Sequence, residues 1–262
     1  MFTFRRDPDA RLGVGVAFTS AALDLGDRQD AAARSTAYAR LSDALGVPVC
    51  IAAQVHGTDV LTVEDEEVAS GLIDLTAHRA DALVTDRPGV ALAVRVADCV
   101  PICIAAADAS AVAAVHAGRK GLLGGVIASA VTALRGLTDA DLVAWVGPHV
   151  CGTCYEVPHE MAVDASQRLG LPVPATHWGT EGIDLGGATR RQLEALGVAV
   201  TDVSACTIED ARLHSHRRDD GAAGRMVGLV WIDPEGPGHR RMSTGRAAAG
   251  PAPARANVFP IP

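Results

Sequence analysis

The feature that most constrains the fold of this chain is a series of short apolar runs rich in Val and Ile, separated by turn residues such as Pro88 and Gly89. Runs of this length and composition are typical of β-strands. We predict strands over residues 12–18, 49–55, 60–63, 81–85, 90–96, 100–106, 111–115, 142–146, 198–203 and 226–232. The pattern therefore predicts a protein that is built mainly on β-sheet.

Fewer segments have the spacing of a helix. We predict helices over residues 30–45, 157–169 and 188–196, with Gly46 ending the first. Over 122–134 apolar residues recur every four positions, which predicts one helix that begins just after the glycines following His116. Because strands outnumber helices and do not alternate regularly with them, an α+β single domain with mixed sheets fits better than a doubly wound parallel sheet.

Length and composition exclude several classes of protein. We predict one domain over residues 1–232 and a disordered tail over 233–262, where Pro, Gly, Ala and Arg dominate. A net charge of −8 and an aromatic content of 3% argue against nucleic acid and anionic membrane partners. No signal sequence or apolar span is recognised, so we expect a cytoplasmic protein whose six cysteines are thiols or metal ligands.

Three residues with soft ligand atoms lie at the ends of predicted strands, each close to a glycine or a small residue. They are His56, Cys99 and His116. Two imidazoles and one thiolate suit a zinc ion with an open fourth position, or a copper ion. Their spacing matches no compact zinc finger, so we expect the strand ends to meet at one edge of a sheet. Taken singly, each residue is also compatible with a structural histidine or a core cysteine.

Neighbouring residues offer further chemistry. Asp98 could accept a hydrogen bond from an imidazole, accept a proton from activated water, or cap the turn between two strands. Cys103 would stand roughly 13 Å from Cys99 along a strand, so we expect it in the core. Lys120 is the only lysine in the chain and lies shortly after His116.

Two other groups of residues have both a structural and a functional interpretation. Cys151 and Cys154 have the spacing of redox dithiols and of half a zinc ribbon. No second pair of this spacing follows, and we interpret the motif as a structural turn. Arg217 and Arg218, with Arg225 nearby, could bind a phosphate or carboxylate through their guanidinium groups, or form a solvated loop.

Several motifs together resemble the YfiH family, whose members are also called laccase-domain, multicopper polyphenol oxidase-like or peptidoglycan-editing-factor proteins. The motifs are QVHGTDV (54–60), ADALVTDRPG (80–89), ADCVPICI (97–104), HAGRKGLLGGV (116–126), GPHVCGTCYEV (147–157), CT (206–207) and RRDDGAAGRM (217–226). The resemblance covers about residues 10–232. It implies a domain layered α/β/β/α, with one zinc on two histidines and one cysteine, here His56, Cys99 and His116.

The resemblance also implies an activity. Family members are described as enzymes that cleave adenosine, guanosine, inosine or methylthioadenosine with phosphate and deaminate adenosine. We therefore hypothesise a zinc-dependent purine nucleoside phosphorylase with adenosine deaminase activity, acting as a monomer or weak homodimer. Asp98 and Cys99 are the expected catalytic residues, with Asp98 carrying protons. Lys120, Arg217 and Arg218 are the expected phosphate ligands. The family strings HAGWRG and FFSYRR read HAGRKG and LHSHRR here, so the substrate pocket differs while the metal ligands remain.

Three alternatives stay open at this point. A copper-dependent polyphenol oxidase would use the same donors, although a laccase needs several copper ions. A hydrolase editing peptidoglycan precursors would use Cys99 as nucleophile, His116 as base and Asp98 as orienting group. A metal-stabilised binding protein would use the same ligands without catalysis.

Overall fold

The strands form two six-stranded mixed sheets in the computed structural model, which describes residues 1–64 and 67–235. The first sheet has the order β1 (Phe2–Arg6), β2 (Val14–Thr19), β12 (Met226–Ile232), β7 (Ala91–Val96), β3 (Val49–Ala53) and β5 (Leu72–Arg79). The second has the order β11 (Ala199–Asp202), β10 (Leu142–Val146), β8 (Val100–Ala106), β9 (Val112–Ala117), β6 (Ala82–Thr85) and β4 (Val60–Thr62).

Helices cover the outer face of each sheet. They are α1 (Ala31–Leu45), α2 (Arg119–Gly124), α3 (Val126–Arg135), α4 (His159–Leu169) and α5 (Leu185–Ala195). Tyr38 and Leu41 of α1 pack on the first sheet, and the other helices supply apolar side chains to the outer face of the second. Between the sheets, Phe18 and Leu92 of the first share a core with Trp145 of the second. This confirms the α+β fold and its α/β/β/α layers.

Most predicted elements are confirmed, and three strands (100–106, 142–146 and 226–232) match to the residue. Asp30 is the N-cap of helix α1, and its carboxylate accepts a hydrogen bond from the amide of Ala33. Gly46, with φ 77°, is the C-cap. In the described residues no helix has the length and apolar character needed to cross a membrane. The tail predicted over 233–262 falls outside those residues from 236 onward, and the domain boundary there stays a prediction.

The structure corrects the sequence-based assignment in three places. Strands β1 and β5 were not predicted, because both lie at the edge of the first sheet and carry many exposed polar residues. The helix predicted over 122–134 is two helices, α2 and α3, separated at Gly125 with φ 94°. Their apolar pattern runs through the break because both helices pack on the second sheet. The strand predicted over 49–55 ends at Ala53, which frees residues 54–57 for a turn.

Candidate metal centre and its cavity

The three predicted ligands meet where the chain passes between the two sheets. His56 follows β3 of the first sheet, Cys99 lies between β7 of the first and β8 of the second, and His116 is in β9 of the second. One ligand atom from each lies within 4.8 Å of the others. The sequence therefore predicted that these three residues come together. The predicted location at one edge of a single sheet was wrong, because the residues come from both sheets.

A buried aspartate that the sequence analysis overlooked holds both histidines in place. Asp81 is fully buried, and its Oδ1 accepts hydrogen bonds from Nδ1 of His116 at 2.7 Å and from the amide of His56 at 2.9 Å. Its Oδ2 accepts from the amides of Gly57 at 2.7 Å and Val55 at 3.1 Å. The available signal was an acidic residue directly before an entirely apolar strand, since a buried carboxylate there requires several donors.

Backbone conformation also shapes the cluster. His56 and Asp98 have φ values of 60° and 90°, a region that non-glycine residues rarely adopt. Gly118 lies against the ligands, because a Cβ there would be 2.6 Å from Cδ2 of His56 and 3.1 Å from Sγ of Cys99. The turns after β3 and β7 therefore take unusual backbone conformations at His56 and Asp98. After β9, a residue larger than glycine at position 118 would collide with His56 and Cys99.

Cys99 and His116 shift each other's ionisation. Burial by itself raises the pKa of Cys99, but the nearby His116 and His56 outweigh this effect and bring that pKa down to about 6. Burial by itself lowers the pKa of His116, but the Cys99 thiolate and the Asp81 carboxylate raise it to about 9. The thiolate form of Cys99 that binds metals is thus favoured at neutral pH. His116 keeps its proton there, so a metal would have to displace the proton on Nε2 while Asp81 holds Nδ1.

The donor atoms fit a metal ion. Sγ of Cys99 and Nε2 of His56 are 3.7 Å apart, and the two imidazole rings are 4.7 Å apart between centroids. Zinc bond lengths in a tetrahedral site place neighbouring donors about 3.3–3.6 Å apart. Because Nδ1 of His116 is bound to Asp81, its Nε2 is the nitrogen left for a metal. These three residues fit zinc, and the same donor types also occur in copper sites.

The cluster opens into a cavity of about 530 Å³. Four cationic side chains line it, together with the carboxylates of Asp27 and Asp98 and the ring of Tyr155. The cations are Arg95, Arg119, Lys120 and Arg225. The sequence analysis singled out Lys120 and missed Arg95 and Arg119 as cavity residues. For Arg95 a signal was available, because it interrupts the apolar run of a buried strand. The cavity can hold an anionic small molecule beside the metal cluster.

Comparison with known proteins identifies the family. The family described as multi-copper polyphenol oxidoreductase laccase matches residues 11–233. The chain belongs to this laccase-like family. A curated relative from Streptomyces griseus, named a purine nucleoside phosphorylase, is 43% identical over 69% of this chain and 72% of its own length. Another of that name, from Corynebacterium glutamicum, is 39% identical over 82% of this chain and 89% of its own length.

Solved structures agree with this assignment to the laccase-like family. A Neisseria meningitidis protein of the DUF152 family has a TM-score of 0.72 and 28% identity, over 88% of this chain and 99% of its own. A Bacillus licheniformis protein called YfiH has a TM-score of 0.72 and 26% identity, over 84% of this chain and 93% of its own. The two findings confirm the resemblance that the sequence motifs indicated and the fold that it implied.

The remaining predicted site residues of this laccase-like protein take different places. Asp98 lines the cavity, and its carboxylate accepts hydrogen bonds from Oγ1 of Thr207 at 2.5 Å and from the amide of Arg217 at 2.7 Å. The guanidinium of Arg217 lies 5.4 Å from the ring of Tyr155 and donates to the carbonyl of Glu156. Of the roles considered for Asp98, the hydrogen bond with an imidazole is made by Asp81 instead.

Arg218 is not among the residues that line this cavity. Its guanidinium donates to the carbonyls of Thr207 and Leu213, each at 2.7 Å, and it pairs with Asp219 at 2.8 Å. These bonds hold the segment that carries Thr207 to the segment that carries Arg217. Cys103 is fully buried and its thiol contacts the carbonyl of Leu229, which confirms its place in the core.

Proposed function

We propose that this protein is a zinc-dependent purine nucleoside phosphorylase that also deaminates adenosine. The observation that carries the proposal is the shared cavity, in which the His56, Cys99 and His116 cluster lies beside Arg119 and Lys120. Relatives that are 39–43% identical and named purine nucleoside phosphorylases support the choice of substrate. We further propose a cytoplasmic enzyme that is a monomer or weak homodimer and uses free nucleosides.

His56, Cys99 and His116 would hold the zinc. When bound, the zinc supplies Lewis-acid chemistry that activates water for addition at C6 of adenine. Deamination consumes one water, forms the C6–O bond and releases ammonia, so a group in the cavity must carry protons from the water to the leaving nitrogen. Asp98 is the proposed carrier, because Thr207 and Arg217 hold its carboxylate in a fixed orientation within the cavity.

Phosphorolysis requires different residues. A phosphate oxygen forms a bond to C1′ of the ribose while the bond from C1′ to the purine breaks, and the purine leaves with the electron pair and takes a proton. Lys120 is the proposed main phosphate ligand, because it lines the cavity with Arg119. Arg217, which lines a neighbouring pocket and whose guanidinium lies over the ring of Tyr155, is proposed to contribute a further donor to phosphate, and Arg218 to act by positioning the segment that carries Arg217.

The test is to supply the zinc-loaded protein with adenosine, with and without phosphate, and to separate the products. We expect inosine without phosphate, and free base with ribose 1-phosphate when phosphate is present. Cys99→Ala should abolish both reactions, whereas Cys103→Ala, which changes a core cysteine away from the cavity, should retain them. If zinc-loaded wild type forms neither product, and Cys99→Ala gives the same result, the proposal is wrong.

A second pair of variants separates the two reactions. Lys120→Met should raise KM for phosphate about tenfold or more, and should leave deamination without phosphate nearly unchanged. Asp98→Asn should lower kcat of deamination by roughly 10²- to 10⁴-fold, the range for removal of a general acid or base, and should leave phosphorolysis nearly unchanged. Equal loss of both reactions in Lys120→Met would contradict the proposed phosphate role.

Two other activities use the same residues and are decided by metal content. The family description and the donor set also suit a copper oxidase, which would give a coloured protein that consumes oxygen. The Cys99–His116 pair also suits a cysteine hydrolase, which would retain activity after chelation. A colourless zinc protein that takes up no oxygen and loses activity on chelation would exclude both.

A further inference from the structure

A second group of metal-ligating side chains lies apart from the laccase-like site. Cys151, Cys154, Cys206 and Glu209 each place a ligand atom within 4.8 Å of the others. They come from two loops, one after β10 and one after β11. The strands β10 and β11 pair in parallel in the second sheet. A backbone bridge between His149 and Cys206 continues that pairing beyond the strands and brings the loops together.

A tight turn gathers two of the thiols. The amides of Cys154 and Tyr155 donate to the carbonyl of Cys151 at 3.1 and 3.0 Å. Gly152 is packed so closely that a Cβ there would lie 2.9 Å from Cβ of Asp184. The CxxC motif is therefore a structural turn, as the sequence predicted, and the turn directs both thiols toward Cys206 and Glu209.

The carboxylate is held next to the thiols. Oε1 of Glu209 lies 3.3 Å from Sγ of Cys154, which donates to it, and 3.2 Å from Nε2 of His177. The amide of His177 donates to the carbonyl of Thr153 at 3.0 Å, so His177 is anchored to the same turn. Cysteines that serve only as core residues pack singly among apolar side chains, as Cys103 does. This cluster instead has a carboxyl group among its thiols.

We propose that Cys151, Cys154, Cys206 and Glu209 bind a second zinc ion, in a structural site with all four positions filled by protein. Soft thiolate ligands in this number select zinc over hard cations, and four protein ligands are typical of structural zinc sites. The side chain of Glu209 is 55% exposed, so the ion can enter from solvent. His177 holds the carboxylate in place.

The second zinc would act on Asp98 of the first site through the two loops that it ties together. Val150, next to Cys151, donates its amide to the carbonyl of Asp98 at 3.0 Å. Thr207, next to Cys206, donates its hydroxyl to the carboxylate of Asp98 at 2.5 Å. An ion that ties the two loops together therefore fixes two of the contacts that orient Asp98 in the cavity, and the amide of Arg217 supplies a third.

The test is zinc stoichiometry of the full chain, stripped with a chelator and reloaded with zinc alone under a thiol reductant. Wild type and Cys103→Ala should bind two equivalents, and Cys99→Ala and Cys206→Ser one each. Cobalt should give the strong thiolate absorption of a three-cysteine site in Cys99→Ala, and that absorption should be lost when Cys206→Ser is added. One equivalent in wild type, unchanged by Cys206→Ser, would overturn the proposal.

Two further readouts keep the test decisive if Cys206→Ser folds poorly. Glu209→Gln alters a half-exposed side chain and should weaken binding of the second zinc about tenfold while leaving the first intact. In wild type, zinc should protect the cysteines at positions 151, 154 and 206 from alkylation. Unchanged zinc affinity in Glu209→Gln together with unprotected cysteines would overturn the proposal, and neither result depends on catalysis at the first site.

Discussion

At the scale of single residues, the metal centre depends as much on what surrounds the ligands as on the ligands themselves. His56, Cys99 and His116 were predicted from their residue types and their positions at strand ends. Asp81 and Gly118 were not assigned roles, because their contacts with the ligands exist only in the folded chain. The ligand set was thus predictable, and the groups that orient it and leave room for it were not.

Replacing Asp81 with Asn should weaken zinc binding by roughly 10- to 100-fold, the range for loss of a group that orients a metal-bound histidine. An amide presents fewer acceptor sites than the carboxylate that now serves four donors. Competition with a chromogenic chelator measures the change. Asp86→Asn, at an exposed position after the same strand, is the control and should bind like wild type.

Replacing Gly118 with Ala should displace the side chain of His56, which is exposed. Zinc would have to draw His56 back against the new methyl group. Overpacking of this kind costs about 1–3 kcal/mol, which corresponds to a loss of affinity of roughly 5- to 150-fold. Calorimetric titration with zinc measures it. Unaltered affinity would show that the close contact is not limiting.

At the scale of elements, the period of apolar residues predicted where most helices and strands lie but not how they are interrupted. The pattern over 122–134 continues through Gly125, since both α2 and α3 face the second sheet, and only the left-handed backbone of Gly125 separates them. Edge strands β1 and β5 lack a continuous apolar run because one side of each is solvated. Each error thus has a physical origin in how much of an element is buried.

Helix α1 provides a test at this scale. The carboxylate of Asp30 accepts a hydrogen bond from the amide of Ala33 at 2.8 Å. Asp30→Ala should lower the free energy of unfolding by about 1 kcal/mol, as is typical for loss of an N-cap. Urea denaturation measures the change. Asp43→Ala, at an exposed position inside the same helix, removes equal charge without a cap and should cost clearly less.

At the scale of the whole molecule, the loops that follow β10 and β11 join the layers around the cavity. His149 is central to them: its backbone pairs with Ala205 and Thr207, and its ring packs against Gly186 of α5. Burial lowers the pKa of His149, while a hydrogen bond from its ring to the carbonyl of Gly147 partly opposes this. The folded protein therefore favours the neutral form of the His149 ring.

This predicts a dependence of stability on pH. The unfolded chain takes up a proton at His149 near pH 6.5 and the folded chain at a lower pH, so the contribution of His149 is present above about pH 6.5 and is lost as the pH falls. His149→Asn keeps a donor for Gly147 and removes the titration, so its free energy of unfolding should fall less between pH 7.5 and 5.5. His78→Asn, at an exposed position in β5, should follow wild type.

The sequence by itself determined the fold class, most strands and helices, the family and the three residues of the first candidate metal centre. These depend on local periodicity and on residue types that carry their chemistry wherever they lie. Only the tertiary structure decided that the ligands meet between two sheets, that Asp81 orients them, and that Cys206 and Glu209 join the CxxC turn. Such contacts join residues far apart in the chain, and their geometry is set by how the two sheets pack.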